Sequence, residues 1–446
     1  MVKKSVGLCK TTGHPARDSL HFLEPPQVQC YSPSAMPVDP HAKALFITIC
    51  RNSPTALSCI NRLTPDYLCF FLPEDQKETL ESQLQPFITK MPQRWDWILT
   101  SDPDNFAASH QVLATKLPDL LTTWGIHRGE LVVNFTEATP AMAAATALVT
   151  RPFTSRVVLL QEATPSTQES ENIWDESNPW NEEAVQGRRE AASTFNQGAF
   201  PTAAKQFRLI ESMVSGSQKP LYHALANLAD GYHDWECFHY KEAWDKLKTA
   251  LKALELASVW GGPSGLTQVL GTVKANAGFL EKIVLDPQEV KTAVADDLLA
   301  HAKRRADRDH NYGVAVAVII RALEAYGQLH LWKQFTLKTW DVQVEQLPQP
   351  LQELCRTSFL DDIDGKYKLP LYAQFQTLAE LGHPLGKSFA TEWPKMKSLL
   401  DATYHNVLGH GFQPPKAERF HQLYQVVLKL TDVNEGALPK FPIMTL

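Results

Sequence analysis

A chain of 446 residues, 44% apolar and 21% charged, is long enough for two or three domains and has the composition of an ordinary globular protein. A formal charge of -6 and a pI near 6.2 leave no global basic footprint, which excludes a general DNA-coating protein, with no double-stranded DNA partner expected, and confines any nucleic-acid contact to a local surface. Seven cysteines without a CxxC pair read as reduced structural thiols, and the lack of an apolar leader or a long uninterrupted apolar run predicts a cytoplasmic protein with no membrane partner.

Residues 1–40 are rich in Pro, Ser and Gly and predict an irregular N-terminal arm. From Lys43 the pattern changes. KALFITIC reads as a buried strand, TALSCINRL as a short helix, DYLCFFLP as a second strand and WDWILT as a third. A helix is expected over Asn105 to Trp124, then LVVNFT and SRVVLL as fourth and fifth strands. Strands alternating with helices predict βαβ units and a Rossmann-like parallel sheet over residues 41–160.

The stretch Gln161 to Glu183 holds seven acidic residues and no basic one, and predicts an interdomain linker, placed at 161–188. Beyond it the chain reads as helical throughout. A helical middle region is expected at 189–290, where Phe200, Ala203, Ala204 and Phe207 share a loose pattern with Tyr240, Ala243, Trp244 and Leu247. The spacing has the look of tetratricopeptide repeats, but two loose matches do not make a solenoid. From 291 to 446 a helical bundle is predicted, with a strong amphipathic helix in NYGVAVAVIIRALEAYGQLHLW and a terminal helix in AERFHQLYQVVLKL.

The junction LVVNFTEATPAM, Leu131 to Met142, runs from an apolar strand through a Thr/Pro loop into a small-residue helix. Such a junction aims backbone N–H groups and hydroxyls at the carboxyl end of a parallel strand, where open α/β sheets bind ligands. Asn134, Thr136 and Thr139 are the groups it would present. A Thr/Pro turn that only caps a helix is the plain structural alternative.

Four segments in order resemble the CRISPR-associated proteins that join an N-terminal CARF domain to a C-terminal HEPN domain, in the Cas02710 subgroup. These are KALFITICRNSPTALSCINRLTPDYLCFF, LVVNFTEATPAMAAA, GYHDWECFHYKEAWDKL, and NYGVAVAVIIRALEAYGQLHL with YHNVLGHGF. The resemblance implies a type III CRISPR accessory protein, a homodimer whose paired CARF domains bind a cyclic oligoadenylate and whose HEPN dimer cuts single-stranded RNA without metal. It implies no other cofactor. The ligand loops would be Arg51, Asn52, Ser53 and Thr55 after the first strand, and Asn134, Thr136, Glu137 and Thr139 after the fourth. Relatives typically carry a glycine pair and a lysine in the second loop, where this chain has Glu137, Ala138 and Pro140.

The HEPN pattern is an arginine followed, four to six residues on, by a histidine. His410 fits the histidine. The arginine place falls among Thr403, Tyr404 and His405, none of which is arginine. His405 would serve as a second proton handler, Tyr404 as a hydrogen-bond donor, and Asn406 completes the catalytic set. An alternative is that Asn406 and His410 merely cap and pack a helix end. Three functions therefore stand as expectations: a messenger-activated ribonuclease, a ring nuclease that cleaves the cyclic oligoadenylate in the CARF domain, and a noncatalytic sensor. The run Lys303, Arg304, Arg305 and Arg308, with His301 and His310 nearby, reads as a solvated face or, secondarily, an RNA groove. His233, Cys237 and His239 have metal-like spacing but no second ligand pair, so they read as structural and no metal site is expected.

Overall fold

The computed structural model describes residues 41–50, 54–127, 129–161, 172–176, 180–214, 216–259, 262–405, 407, 410–414 and 416–446; the arm expected at 1–40 lies outside them. The N-terminal part is the expected α/β unit. Its elements are β1 (Ala44–Ile49), α1 (Pro54–Leu63), β2 (Tyr67–Pro73), α2 (Lys77–Leu84), β3 (Arg94–Thr100), α3 (Phe106–Thr123), β4 (Leu131–Glu137), α4 (Pro140–Thr150), β5 (Thr154–Gln161) and β6 (Asn172–Glu176).

Every residue of β1 is buried, as befits a central strand covered on both faces. Leu45, Ile47 and Ile49 enter one core with Leu68, Phe70, Leu72 and the α1 residues Ala56, Cys59 and Ile60. Ala44 and Phe46 enter the other, with Cys69, Phe71 and the α3 residues Leu113, Leu117 and Leu121. This alternation sorts the helices onto opposite faces. The sheet order is β3-β2-β1-β4-β5-β6, with β1 to β5 parallel. The order in which strands are added to the sheet reverses between β1 and β4, which opens the crevice where doubly wound sheets take ligands.

The acidic segment expected to be a linker corrects the sequence reading. Within 161–188 lies β6, antiparallel to β5 with Val157 opposite Glu176, and a helix begins at Trp180. An edge strand tolerates charge that a central strand does not, so acidity and strand formation coexist.

The rest of the chain is helical. Helices α5 (Trp180–Asn196), α6 (Phe200–Met213), α7 (Lys219–Glu236), α8 (Tyr240–Val259) and α9 (Leu266–Val284) pack each on the next. Phe200, Ala203, Ala204, Phe207, Ala243 and Leu247, picked out by the repeat-like pattern, are all buried in their shared core. Next come α10 (Thr292–Asp307), α11 (Tyr312–Phe335), α12 (Gln349–Ser358), α13 (Leu371–Glu380), α14 (Pro384–Tyr404) and α15 (Ala417–Thr431), around a second helical core. Helix α11, expected to be amphipathic, is its central member and buries nearly half of its 24 residues fully. It has the length and apolarity of a membrane span, but its burial is that of a core helix.

The segment after α15 returns to the α5–α9 stack. Phe441 packs on Tyr232 and Trp235, at ring separations of 4.6 and 5.1 Å. Asn196 accepts from Met444 N at 2.7 Å and donates to Met444 O at 2.9 Å, while Asn276 donates to Lys440 O.

Candidate functional site

At the crevice between β1 and β4, the second expected loop is held by its own hydrogen bonds. Asn134 is buried and donates to Val158 O at 2.8 Å and Thr136 Oγ1 at 3.2 Å. Thr139 caps α4 by accepting from Met142 N, and its hydroxyl donates to Pro103 O at 2.5 Å. Thr55, at the start of α1, is buried and donates to Glu137 Oε1 at 3.0 Å; Cys50 N donates to Glu137 O at 2.9 Å. Glu137 therefore ties the two loops together where the β1–β4 register slips. The structure brings Thr55, Thr136, Glu137 and Thr139 to the carboxyl ends of β1 and β4, with Asn134 and Thr139 already engaged structurally. Arg51, Asn52 and Ser53 lie outside the described residues.

The expected catalytic loop joins α14 to α15. His405 and His410 are both exposed on it. The loop doubles back tightly: Val407 N donates to Gln413 O at 2.9 Å, and a side chain at Gly411 would overlap the backbone carbonyl of His405. That close approach requires glycine. Phe412, next to it, is 93% exposed. Tyr404 ends α14, and Asn406 lies outside the described residues.

Two family models match, in the order of the helical cores. The one described as the Csm6 6H domain covers residues 184–280, and the one described as the Csm6 HEPN domain covers residues 287–434. Together they account for more than half of the chain. The chain belongs to the Csm6 family. It is a CRISPR-associated protein of the Cas02710 type, with its α/β unit ahead of the 6H and HEPN domains. A solved structure, Enterococcus italicus Csm6 bound to cyclic hexa-2'-fluoro-hexa-dAMP, aligns with a TM-score of 0.49 at 15% identity, covering 89% of this chain and 96% of that one. No curated protein matches.

Within this Csm6-family frame, the basic run of α10 is engaged by carboxylates rather than left as a solvated face. Glu236, at the end of α7 in the 6H domain, has a side chain only 5% exposed and receives Arg304 Nε at 2.7 Å, Arg305 Nη2 at 2.9 Å and Arg308 Nη2 at 3.4 Å from the HEPN domain. Burial would raise the Glu236 carboxyl, but the charges of Arg304, Arg308 and Arg305 outweigh it and hold the pKa below its ordinary value. Arg305 Nε donates to His301 Nε2 at 3.0 Å, so that nitrogen carries a lone pair and Nδ1 the proton. Burial and the neighbouring arginines press the His301 pKa down to about 4. Lys303 is bound to Asp307 and Glu435. Arg304 also lies 4.1 Å over the Phe441 ring, beside a 610 Å³ cavity at this junction.

Sequence reasoning missed Glu236. Its only signal was a carboxylate inside the aromatic run GYHDWECF, where a charge needs a buried partner. His233 and Cys237 sit 3.9 Å apart, and among the described residues no three His, Cys, Asp or Glu side chains converge on a metal-sized point.

Proposed function

We propose that this protein is a single-stranded RNA endoribonuclease of type III CRISPR defence, gated by a cyclic oligoadenylate bound where the α/β units of a homodimer pair. The observation that carries the reading is the HEPN match over 287–434, which encloses His405 and His410 on one exposed loop. In metal-independent RNA cleavage a 2′-oxygen attacks the adjacent phosphorus and the bond to the 5′-oxygen breaks. One proton leaves the 2′-hydroxyl and one reaches the departing 5′-oxygen, leaving a 2′,3′-cyclic phosphate and a 5′-hydroxyl. Two imidazoles are suited to hold and return those protons near neutral pH. His410 takes the principal role and His405 the second, with Tyr404 and Asn406 as polar neighbours.

The messenger would meet the crevice between β1 and β4, contacting the loop of Arg51, Asn52, Ser53 and Thr55, with Thr136 and Glu137 opposite. Glu137 sits poorly beside a phosphate, but its link to Thr55 suits a ribose hydroxyl contact. The ring-nuclease reading is less favoured, because positioning a 2′-hydroxyl needs uncommitted donors and Thr139 and Asn134 are occupied.

The test is to incubate the protein with labelled single-stranded RNA and either cyclic tetra- or hexa-adenylate, following both nucleic acids by chromatography. Messenger-dependent RNA loss is expected, and His410→Ala should reduce it by about 10²- to 10⁴-fold while messenger binding persists. Full RNA cleavage by that variant would remove His410 from the mechanism. Linearised messenger with intact RNA would make the protein a ring nuclease.

A further inference from the structure

The two helices that carry the catalytic loop also enclose a groove. Lys395, Ser398 and Leu399 of α14 face Lys416, Arg419 and Gln422 at the start of α15, around a volume of 460 Å³. Lys395, Lys416 and Arg419 are exposed, and no ion pair engages any of them among the described residues. The one carboxylate on the groove is Glu418. The nearby Glu392 is taken by Lys429 at 2.9 Å. On a chain whose net charge is -6, and whose α10 cations are bound to carboxylates, three exposed cations against one carboxylate in a single groove, with Lys395 also within electrostatic reach of Glu392, form a net-positive surface suited to an anionic ligand.

Two more observations narrow the ligand to a phosphate chain. No side chain caps α15, so the N–H groups of its first turn, beside the groove residues Lys416 and Arg419, have no intrahelical acceptors. The groove lies on the two helices that flank the catalytic loop: Lys395 is ten residues before His405, about 15 Å of helix rise, and Lys416 follows Gln413 closely in sequence. Phe412 on that loop offers an exposed aromatic face of the kind on which an unpaired base stacks.

We propose that this groove holds the backbone of the single-stranded RNA substrate, with Lys395, Lys416 and Arg419 pairing with successive phosphates and leading the strand to His410. Arg419 supplies the planar fork that takes a phosphate bidentately, a contact the loop lacks at Thr403 to His405. The proposal rests on the nuclease reading of the loop, so its test measures binding apart from cleavage.

The probe is a fluorescein-labelled single-stranded RNA with 2′-O-methyl groups, which cannot be cut through its 2′-hydroxyl. Its binding to the full-length chain is followed by anisotropy over a salt series. The double variant K395E/R419E is expected to bind about tenfold more weakly, and the slope of log affinity against log salt is expected to fall by about 1.4, two single-strand phosphate contacts. K395Q/R419Q, which adds no repulsion, should lose less affinity and keep the wild-type circular dichroism. Affinity within twofold of wild type in both variants, or no RNA binding by the wild-type protein, would overturn the groove. Charge-dependent binding without any cleavage of unmodified RNA would leave the groove standing and remove the nuclease reading.

Discussion

His301 shows how far a single side chain's chemistry departs from its sequence appearance. Beside Arg304 and Arg305 it looks like part of a basic run, yet it is buried, neutral and bonded through Nε2 to Arg305, with the Phe238 ring 4.7 Å away. Its pKa is about 4 in the folded protein, against about 6.5 when unfolded. Between those values the unfolded chain binds a proton that the folded chain refuses. The stability His301 contributes is therefore complete above about pH 6.5 and is lost as pH falls toward 4. Glu236, held below its ordinary value, adds an acid-side loss at lower pH. The thermal midpoint should drop steeply between pH 7 and pH 4.5, and less steeply in His301→Gln; parallel profiles would show that His301 is not the titrating group. Asn134 and Thr139 make the same point in the α/β unit. Their residue types suit ligand contact or local bonding equally well, and only the positions of Val158 O and Pro103 O show that local bonds occupy them.

At the scale of elements, most of the chain was legible. The strands at KALFITIC, DYLCFFLP, WDWILT, LVVNFT and SRVVLL and the helix from Asn105 to Trp124 all form, because apolar periodicity reports burial directly. The misread elements are those that carry no apolar periodicity of their own. Strand β6 pairs with β5 despite its acidity. The segment after α15 has no periodicity, yet Phe441 fills a site between Tyr232, Trp235 and the Arg304 guanidinium. Phe441→Ala should cost about 3 kcal/mol in urea-induced unfolding, as for a large aromatic removed from a core. A loss below about 1 kcal/mol would show that this segment only lies on the surface of the stack.

For the whole molecule, the decisive contact is Glu236 with three arginines of α10, one acid from the 6H domain facing three cations from the HEPN domain. At Gly198, on the turn between α5 and α6, the backbone takes φ +80°, a left-handed conformation that favours glycine, and the Arg308 guanidinium lies close against it. Glu236→Gln removes the carboxylate the three guanidinium groups share and leaves them only Asp297 and Asp309 as counter-charge. It should destabilise the protein by about 3 kcal/mol, since breaking a buried pair from one side costs far more than the pair is worth. Separate unfolding transitions for the two helical parts in that variant would identify the pair as their coupling; a loss under about 1 kcal/mol would mean that solvent compensates the arginines.

By itself the sequence determined most of the strands and helices, β6 excepted, their order, and the family whose motifs they carry, because periodicity and local motif are properties of neighbours along the chain. Tertiary structure alone decided which charges are compensated. The α10 run and the trio Lys395, Lys416 and Arg419 are all cationic in the sequence. The first is bound to carboxylates, among them Glu236 some seventy residues away, and the second faces a groove, because electrostatic pairing is set by distance in space.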